Sequence, residues 1–301
     1  MKTSGALAVA AALLAIVAEA FPSRAQETKT ASTPATAAPP ETVVVTGQRP
    51  GREAREKIVW NFVYSHAKLA PKIDQLSRWI APVCPEVRNL PPAFAMFITN
   101  RIKAVAKSVG APLREPCRTD IEIIFTSDPQ ALMNVVAAKN PELLGYHYVH
   151  DTDAVASVKR PIQAWYVTAT SNRVRTYIDD PYHPAPSGTP GSRLSRGQLS
   201  VFDHLLIVAD SAKVAGYPAG EIADYLAMLS LSEADAPGDC GELPSILDLL
   251  SSGCPAPEKP HSLTAADTAY LDGLYAMDPD EIGSLQKSAI ANHILRNPGN
   301  K

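Results

Sequence analysis

The sequence predicts an α+β domain in which a single mixed sheet packs against helices. Two segments are strongly strand-like: residues 120–125 alternate in polarity, and residues 162–170 are rich in aromatic and β-branched side chains. Segments with apolar residues at helical spacing lie before, between and after them. The order of helices, strand, helix, strands and helices is typical of an α+β domain with one mixed sheet.

Two helices are predicted before the first strand. Residues 52–77 carry apolar side chains at helical spacing. A second helix opens at Pro91-Pro92 and continues its apolar stripe to Val109. Gly110 stands where a helix C-cap is expected, so the second helix should end there.

The middle of the chain adds a short helix and a long loop. Asp128-Pro129 starts a helix that continues to Ala138. Residues 171–200 contain Pro, Gly, Ser and basic residues without a period, which indicates a long exposed loop.

The last hundred residues predict one interrupted strand and several helices. A strand over 205–209 continues, after a turn, over 213–215. Helices are then predicted over residues 218–232, 244–250, about 264–275 and about 280–295.

The first residues have the pattern of a cleavable secretory signal over residues 1–25. Lys2 supplies a positive charge, and small residues precede a cut before Gln26. The apolar run over 6–18 is too short to span a bilayer, which needs about 20 residues. A retained membrane anchor is the alternative. Cleavage predicts a periplasmic or secreted protein with no transmembrane segment.

A linker is predicted between the signal and the domain. Residues 26–54 are rich in Thr, Ala, Pro and Glu. Such a segment buries too little apolar area to offset the entropy lost on ordering, so we expect a disordered linker. A single α+β domain over residues 55–298 follows it.

One β-prone island, ETVVVTGQR at residues 41–49, interrupts this linker. It resembles the TonB box of outer-membrane TonB-dependent receptors, in which an extended strand adds to the edge of a periplasmic sheet. The resemblance implies that a TonB-like periplasmic partner binds Val43, Val44, Val45 and Thr46. The alternative is a β-prone stretch with no partner, because the rest of the chain is too short for the plugged barrel of such receptors.

Charge and cysteine content narrow the possible functions. The formal net charge is −3, and no basic run appears, so the electrostatics do not favour nucleic-acid binding. Four cysteines in an exported chain indicate disulfides, for which three pairings exist. Proximity favours Cys84 with Cys117, and Cys240 with Cys254. A zinc site of four cysteines is the alternative, but the usual C-x₂₋₄-C spacing is absent.

Residues 146–153, YHYVHDTD, concentrate aromatic and titratable side chains in one predicted loop. Two histidines three residues apart, with carboxylates beside them, can ligate a metal or transfer protons. Loop histidines also serve as surface or hydrogen-bonding groups. Both interpretations of the loop stay open.

A pattern of strand, helix and later helix runs through residues 201–278. The later helix opens with SLTAAD at 262–267 and closes with LY at 274–275. These features resemble the back half of zincin-like metalloproteases, whose active-site helix carries H-E-x-x-H. In that motif two histidines share a helix face and bind zinc, while the glutamate activates the bound water. The resemblance implies a zincin-like form of the α+β fold.

The zinc motif itself is missing. Placing the helix at 218–232 on the family pattern puts Asp224-Tyr225-Leu226-Ala227-Met228 at H-E-x-x-H. Both histidines are replaced, and Tyr225 stands where the general base should be. One carboxylate and a thioether make a poor zinc site. We therefore expect a version of the fold without metal, cofactor or catalytic residues.

Short segments spread over most of the predicted domain are LPP at 90–92, VGAP at 109–112, IFT at 124–126, LGYH at 144–147, QAWY at 163–166, IADYLAM at 222–228 and LPSILDLL at 243–250. This pattern resembles a group of exported alphaproteobacterial proteins. The resemblance implies export and the fold, and it implies no activity.

These observations lead to two functional hypotheses. The first is an exported, non-catalytic domain that binds a protein or another ligand of the cell envelope. Its candidate ligand-binding residues are Tyr146, His147, His150, Asp151 and Tyr225. The alternative is a periplasmic hydrolase with a site around His147, His150 and Asp151.

Overall fold

A five-stranded mixed sheet lies at the centre of a computed structural model of the chain. The structure describes residues 51–172, 174–187, 192, 197–234 and 238–297. In sheet order the strands are β1 (Pro85–Arg88), β2 (Ile121–Thr126), β5 (Leu199–Asp210), β3 (Ile162–Ser171) and β4 (Thr176–Ile178). Strands β1, β2 and β5 are parallel, whereas β3 is antiparallel to both of its neighbours. The predicted α+β class with a single mixed sheet is confirmed.

Helices cover both faces of this sheet. They are α1 (Arg52–His66), α2 (Pro92–Ser108), α3 (Pro129–Lys139), α4 (Thr152–Val155), α5 (Ser211–Val214), α6 (Ala219–Leu231), α7 (Ala265–Ala276) and α8 (Gly283–Arg296). Short 3₁₀ turns lie at Pro141–Leu144, Val149–Asp151, Ile246–Leu250 and Ala256–Glu258.

The sheet separates two hydrophobic clusters, because alternate side chains of a strand point to opposite faces. On one face, Ile123 of β2 and Leu205 of β5 belong to the main core with α1, α2, α6, α7 and α8. On the other face, Leu206 packs with Met133 of α3 and Trp165 of β3. Strand β5 is therefore covered on both sides, which explains its nearly continuous apolar sequence.

The first helix is shorter than the sequence pattern predicts. The prediction of a helix over 52–77 is wrong beyond His66, where α1 ends. Pro71 has no N–H with which to continue a helix, and Leu69 instead forms an antiparallel bridge with Leu76. At its other end α1 begins at Arg52, so the last residues of the predicted linker are helical.

The strand predictions need four corrections. The prediction of a strand over 213–215 is wrong: residues 213 and 214 belong to α5, which the Asp210 side chain caps by accepting hydrogen bonds from the N–H groups of Ala212 and Lys213. Strand β5 starts at Leu199, earlier than predicted, and β4 lies inside the predicted loop 171–200. Strand β1, whose four residues carry little periodicity, was not predicted.

Several predictions concern the ends of the chain. The chain divides into two units, residues 1–48 and 49–301, and every described residue belongs to the second. The predicted signal and the TonB-box-like residues therefore lie outside the described part. Within the described part, no helix is long and apolar enough to cross a membrane.

The structure joins Cys84 to Cys117 and Cys240 to Cys254, the two pairings that proximity favours.

Helix α6 is buried along almost its whole length, including its C-terminal turn. The last four carbonyl groups of a helix have no partner within it and need donors from elsewhere. The Tyr166 hydroxyl donates to the Leu229 oxygen (2.9 Å), and the Trp79 indole N–H donates to the Ser230 oxygen (2.7 Å). The Tyr275 hydroxyl donates to the Leu231 oxygen (2.9 Å), and the backbone N–H of Ser232 donates to Met228 (3.2 Å). All four carbonyl groups are thus satisfied.

The substitution Tyr275→Phe tests the contribution of one of these bonds. It keeps the ring and leaves the Leu231 carbonyl buried without that donor, so we expect the free energy of unfolding to fall by about 1–3 kcal/mol. Urea denaturation measures the change. The control is Tyr64→Phe, whose ring is 61% exposed on α1, and it should have an effect below about 0.5 kcal/mol. Equal effects of the two substitutions would contradict the role of Tyr275.

Asp120, at the start of β2, lies beside the Cys84–Cys117 disulfide. Its carboxylate accepts a hydrogen bond from the Cys84 backbone N–H (2.9 Å), and the residue is buried. Burial raises the pKa of Asp120 to about 6, although the backbone hydrogen bonds and Arg118 oppose this shift. The folded protein therefore binds a proton here more tightly than the unfolded chain does.

The direction of the pKa shift predicts how Asp120 affects stability. Its favourable contribution is complete below about pH 4, the ordinary pKa of the unfolded chain, and is lost as the pH rises through about 6. We expect Asp120→Asn, which retains the acceptor oxygen, to raise the free energy of unfolding by about 1–2 kcal/mol at pH 8 and to change it little at pH 4. Urea denaturation across this range, with Glu258→Gln as an exposed control, measures the difference. Parallel pH profiles for the Asn variant and the parent protein would refute the expectation.

Candidate functional site

Residues 224–228, the segment that the sequence analysis aligns with a zinc motif, lie on α6, between the sheet and the C-terminal helices. Met228 is fully buried within the main core, and Tyr225 is 2% exposed. Asp224 is also buried, although it is charged. The sequence of α6 allows this position because its remaining residues are almost all apolar or small.

The Asp224 carboxylate is fully engaged by neighbouring groups. Arg101 of α2 donates from Nε to Oδ1 and from Nη2 to Oδ2 (3.1 Å). The backbone N–H of Leu263 donates to the same Oδ2 (2.9 Å). The bidentate bond to Asp224 also raises the pKa of Arg101. This carboxylate therefore acts as a link between α2, α6 and the segment before α7.

The Tyr225 side chain reaches open space that Asp224 does not. It lines two cavities, of about 240 and 390 Å³, which share Tyr225 and the pair Lys159 and Arg160. Its hydroxyl makes no hydrogen bond to any residue within the described part of the chain. Burial raises the pKa of Tyr225 to about 12, with Arg160 acting in the opposite direction. The hydroxyl therefore stays protonated and can donate a hydrogen bond into the cavities.

Four basic side chains surround these cavities. Lys68 pairs with Glu233 (3.0 Å) and Lys213 pairs with Asp210 (3.4 Å). Lys159 and Arg160, which precede β3, are exposed and have no carboxylate at ion-pair distance among the residues that the structure describes. We call the two cavities with Tyr225, Lys159 and Arg160 the basic cleft. Its unpaired charges are positive.

The residues predicted in the loop 146–153 lie apart from the basic cleft. His147 lines a groove of about 490 Å³ that shares no lining residue with the two cavities at Tyr225. Its Nδ1 atom bonds the Gly145 carbonyl group at 2.7 Å. His150 is largely exposed, and its Nε2 atom lies 3.5 Å from the Asp151 carboxylate. Tyr146 lies beneath the Lys72 ammonium group, 5.8 Å from the ring centre.

Gly145 fixes how this loop approaches the sheet. It has a φ of +78°, and a Cβ atom there would lie 2.0 Å from the Tyr166 carbonyl oxygen of β3. Only glycine permits both this conformation and this approach without strain. Gly145 thus brings the start of the predicted loop 146–153 directly beside the sheet, and the rest of that loop contains the 3₁₀ turn Val149–Asp151 and the start of α4.

The possible metal-binding side chains of the described residues do not form a cluster that suits a metal ion. Within the described ranges, no three His, Cys, Asp or Glu side chains group closely enough to hold a metal ion. The next histidine after α6, His261, bonds Glu221 of that helix at 2.7 Å. Tyr225 is a neutral phenol and a hydrogen-bond donor.

Comparison of the chain with protein-family models, with curated proteins and with solved structures finds no match.

Sequence reasoning identified Tyr225 but missed the residues that give its surroundings their charge. Lys159 and Arg160 form a basic pair directly before the strong strand pattern at 162–170, and no charge pattern on a helix or strand marks them. The sequence feature that could have indicated them is a basic pair directly before a buried strand. The fold brings it to Tyr225, which lies far away in sequence.

The ion pair between Arg101 and Asp224 yields a stability prediction. Arg101→Ala leaves a buried carboxylate with one donor, so we expect the free energy of unfolding to fall by about 2–3 kcal/mol. Arg52→Ala breaks an exposed ion pair with Glu56 (2.9 Å) and is the matched control, with an expected change below about 0.5 kcal/mol. Thermal or urea denaturation compares the two. A loss no larger than that of the control would show that Asp224 is solvated.

Proposed function

We propose that the chain is an exported, non-catalytic domain that binds a protein or envelope ligand through an anionic group held in the basic cleft. One observation carries this proposal. Tyr225, whose hydroxyl has no hydrogen-bond partner among the described residues, lines the same two cavities as Lys159 and Arg160, two cations with no ion-pair partner in that part of the chain.

The chemistry of these three groups suits a carboxylate or a phosphate. Both anions accept hydrogen bonds, and hydrogen bonds to a charged acceptor are stronger than those between neutral groups. Arg160 supplies a planar set of donors, and Lys159 adds a mobile positive charge. The protonated Tyr225 hydroxyl gives a fixed direction, because its ring is held in the core.

The non-catalytic part of the proposal is supported by the engaged state of α6. Asp224 has both carboxylate oxygens bonded, and Met228 lies in the apolar core. The remaining polar residue of the replaced motif, Tyr225, can donate a hydrogen bond but is a poor base at neutral pH because its pKa is raised. This arrangement fits a degenerate zincin-like helix that has become a binding element.

Titration calorimetry of the purified protein at low salt tests the proposal. The probes are an acetylated and amidated hexapeptide rich in Asp, the same peptide with Asn in place of Asp, and inorganic phosphate. We expect binding of the anionic probes only, and preference for the peptide or for phosphate distinguishes a protein ligand from a phosphorylated one. Arg160→Ala should weaken this binding at least about 10-fold, in line with a lost charged hydrogen bond.

Two variants separate binding from folding. Tyr225→Phe removes a hydroxyl that has no partner in the described fold, so it should weaken anion binding about 5–10-fold and leave the unfolding free energy nearly unchanged. Lys139→Ala removes an exposed positive charge at the end of α3 and should leave binding unchanged. Failure of every anionic probe to bind, or equal effects of Arg160→Ala and Lys139→Ala, would overturn the proposal.

A further inference from the structure

A cluster of exposed rings flanks the 490 Å³ groove at His147. Tyr148 and Tyr182 are 44% and 59% exposed, with ring centres 5.7 Å apart and planes at 84°. The His150 ring stacks on Tyr148 at 5.6 Å. Exposed apolar or aromatic neighbours along the same segments are Val149, Val174, Tyr177 and Ile178. So large a group of exposed apolar side chains marks an interaction site.

The rings are held in place by hydrogen bonds. The Tyr182 oxygen accepts a bond from the Val149 backbone N–H (3.0 Å), which ties the two walls of the groove together. The Asp180 carboxylate accepts bonds from the backbone N–H groups of Tyr182 (2.8 Å) and His183 (2.9 Å). Lys72 donates to the carbonyl oxygens of Asp180 and His183. The aromatic surface is therefore preorganised, which lowers the entropy cost of binding.

The residue that follows β4, Asp179, anchors this side of the groove to the sheet. The buried Asp179 carboxylate accepts hydrogen bonds from the hydroxyl groups of Thr168 (2.8 Å) and Thr170 (2.6 Å) of β3. This bond pair fixes the turn after β4 against the sheet. The groove thus has a rigid base, not only rigid walls.

The charge of the groove restricts its ligand. Its lining includes the acidic residues Glu142, Asp179 and Asp180 and contains no Lys or Arg. An anionic ligand would be repelled. A ligand that suits this lining offers a flat apolar face to the rings and hydroxyl groups to the Glu142 carboxylate and the Tyr182 phenol.

We propose that this groove binds the pyranose rings of a neutral glycan. A pyranose has a face of C–H groups that packs on an aromatic ring and a rim of hydroxyl groups that donate to carboxylates. The Tyr182 hydroxyl uses its oxygen to accept from Val149, so its proton is available to a sugar oxygen. The perpendicular Tyr148 and Tyr182 rings offer two surfaces for successive sugar units.

This site is independent of the basic cleft. The two share no lining residue, and their charges are opposite. Failure of one proposal therefore leaves the other untouched.

The test is titration calorimetry of the purified protein with the hexamer of β-1,4-linked N-acetylglucosamine, an uncharged and ribbon-like chain. We expect saturable binding that weakens at least about 10-fold in both Tyr182→Ala and Tyr148→Ala. Tyr182→Phe keeps the ring and loses only the hydroxyl, so we expect it to weaken binding by about 3-fold, less than Tyr182→Ala does. The control Tyr64→Ala removes a similarly exposed ring from α1 and should change nothing.

The outcomes are distinct. Near-ultraviolet circular dichroism and urea denaturation of each variant show whether the fold is kept, so a loss of binding is interpreted only for folded variants. Absence of binding to the hexamer by the parent protein would overturn the proposal. Binding that is equally strong in Tyr182→Ala, Tyr148→Ala and the parent would place the sugar elsewhere and would overturn it as well.

Discussion

The rest of the structure depends on the hydrogen bonds that the buried carbonyl groups in the last turn of α6 accept. Carbonyl groups in an apolar core cost free energy unless a donor reaches them. Here the donors come from three different parts of the chain: Tyr166 from β3, Trp79 from the segment after α1, and Tyr275 from α7. Each donor carries a large apolar ring, so the same side chains that complete the hydrogen bonds also fill the core. The helix is held at its end by the sheet, a loop and a second helix.

Because α6 is held firmly at one end, the side chains of Asp224 and Tyr225 along it have fixed positions. Asp224 faces α2. Both of its carboxylate oxygens accept hydrogen bonds from Arg101, and one also accepts a bond from the Leu263 N–H group. Tyr225, one residue later, points to another side and ends in the basic cleft with its hydroxyl unpartnered in the described fold. Because Tyr225 lines these cavities, its side chain is accessible to a ligand, whereas the Asp224 carboxylate is bonded to Arg101 and Leu263. The contrast between these neighbours is the reason to place the ligand at Tyr225.

Regular periodicity made much of the fold predictable, and its absence explains most of the errors. The patterns of β2, β3, α2 and α6 are long enough to identify from sequence. Residues 213–215 have strand-like composition, yet a side-chain cap at Asp210 starts a helix there, a local competition that composition does not reveal. For the candidate sites, Tyr225 and the 146–151 loop could be named, whereas Arg160 and Tyr182 could not. Their importance arises from neighbours distant in sequence, which only the fold brings together.

The two proposed sites differ in the physics that selects their ligands. In the basic cleft, attraction between the cations and an anionic group contributes much of the affinity, and salt weakens such attraction between partly exposed charges. In the aromatic groove, ring contacts and neutral hydrogen bonds dominate, and these respond little to salt. Because the groove is acidic, it also repels the anions that the cleft attracts. The two proposals therefore concern ligands of different charge at sites that share no lining residue.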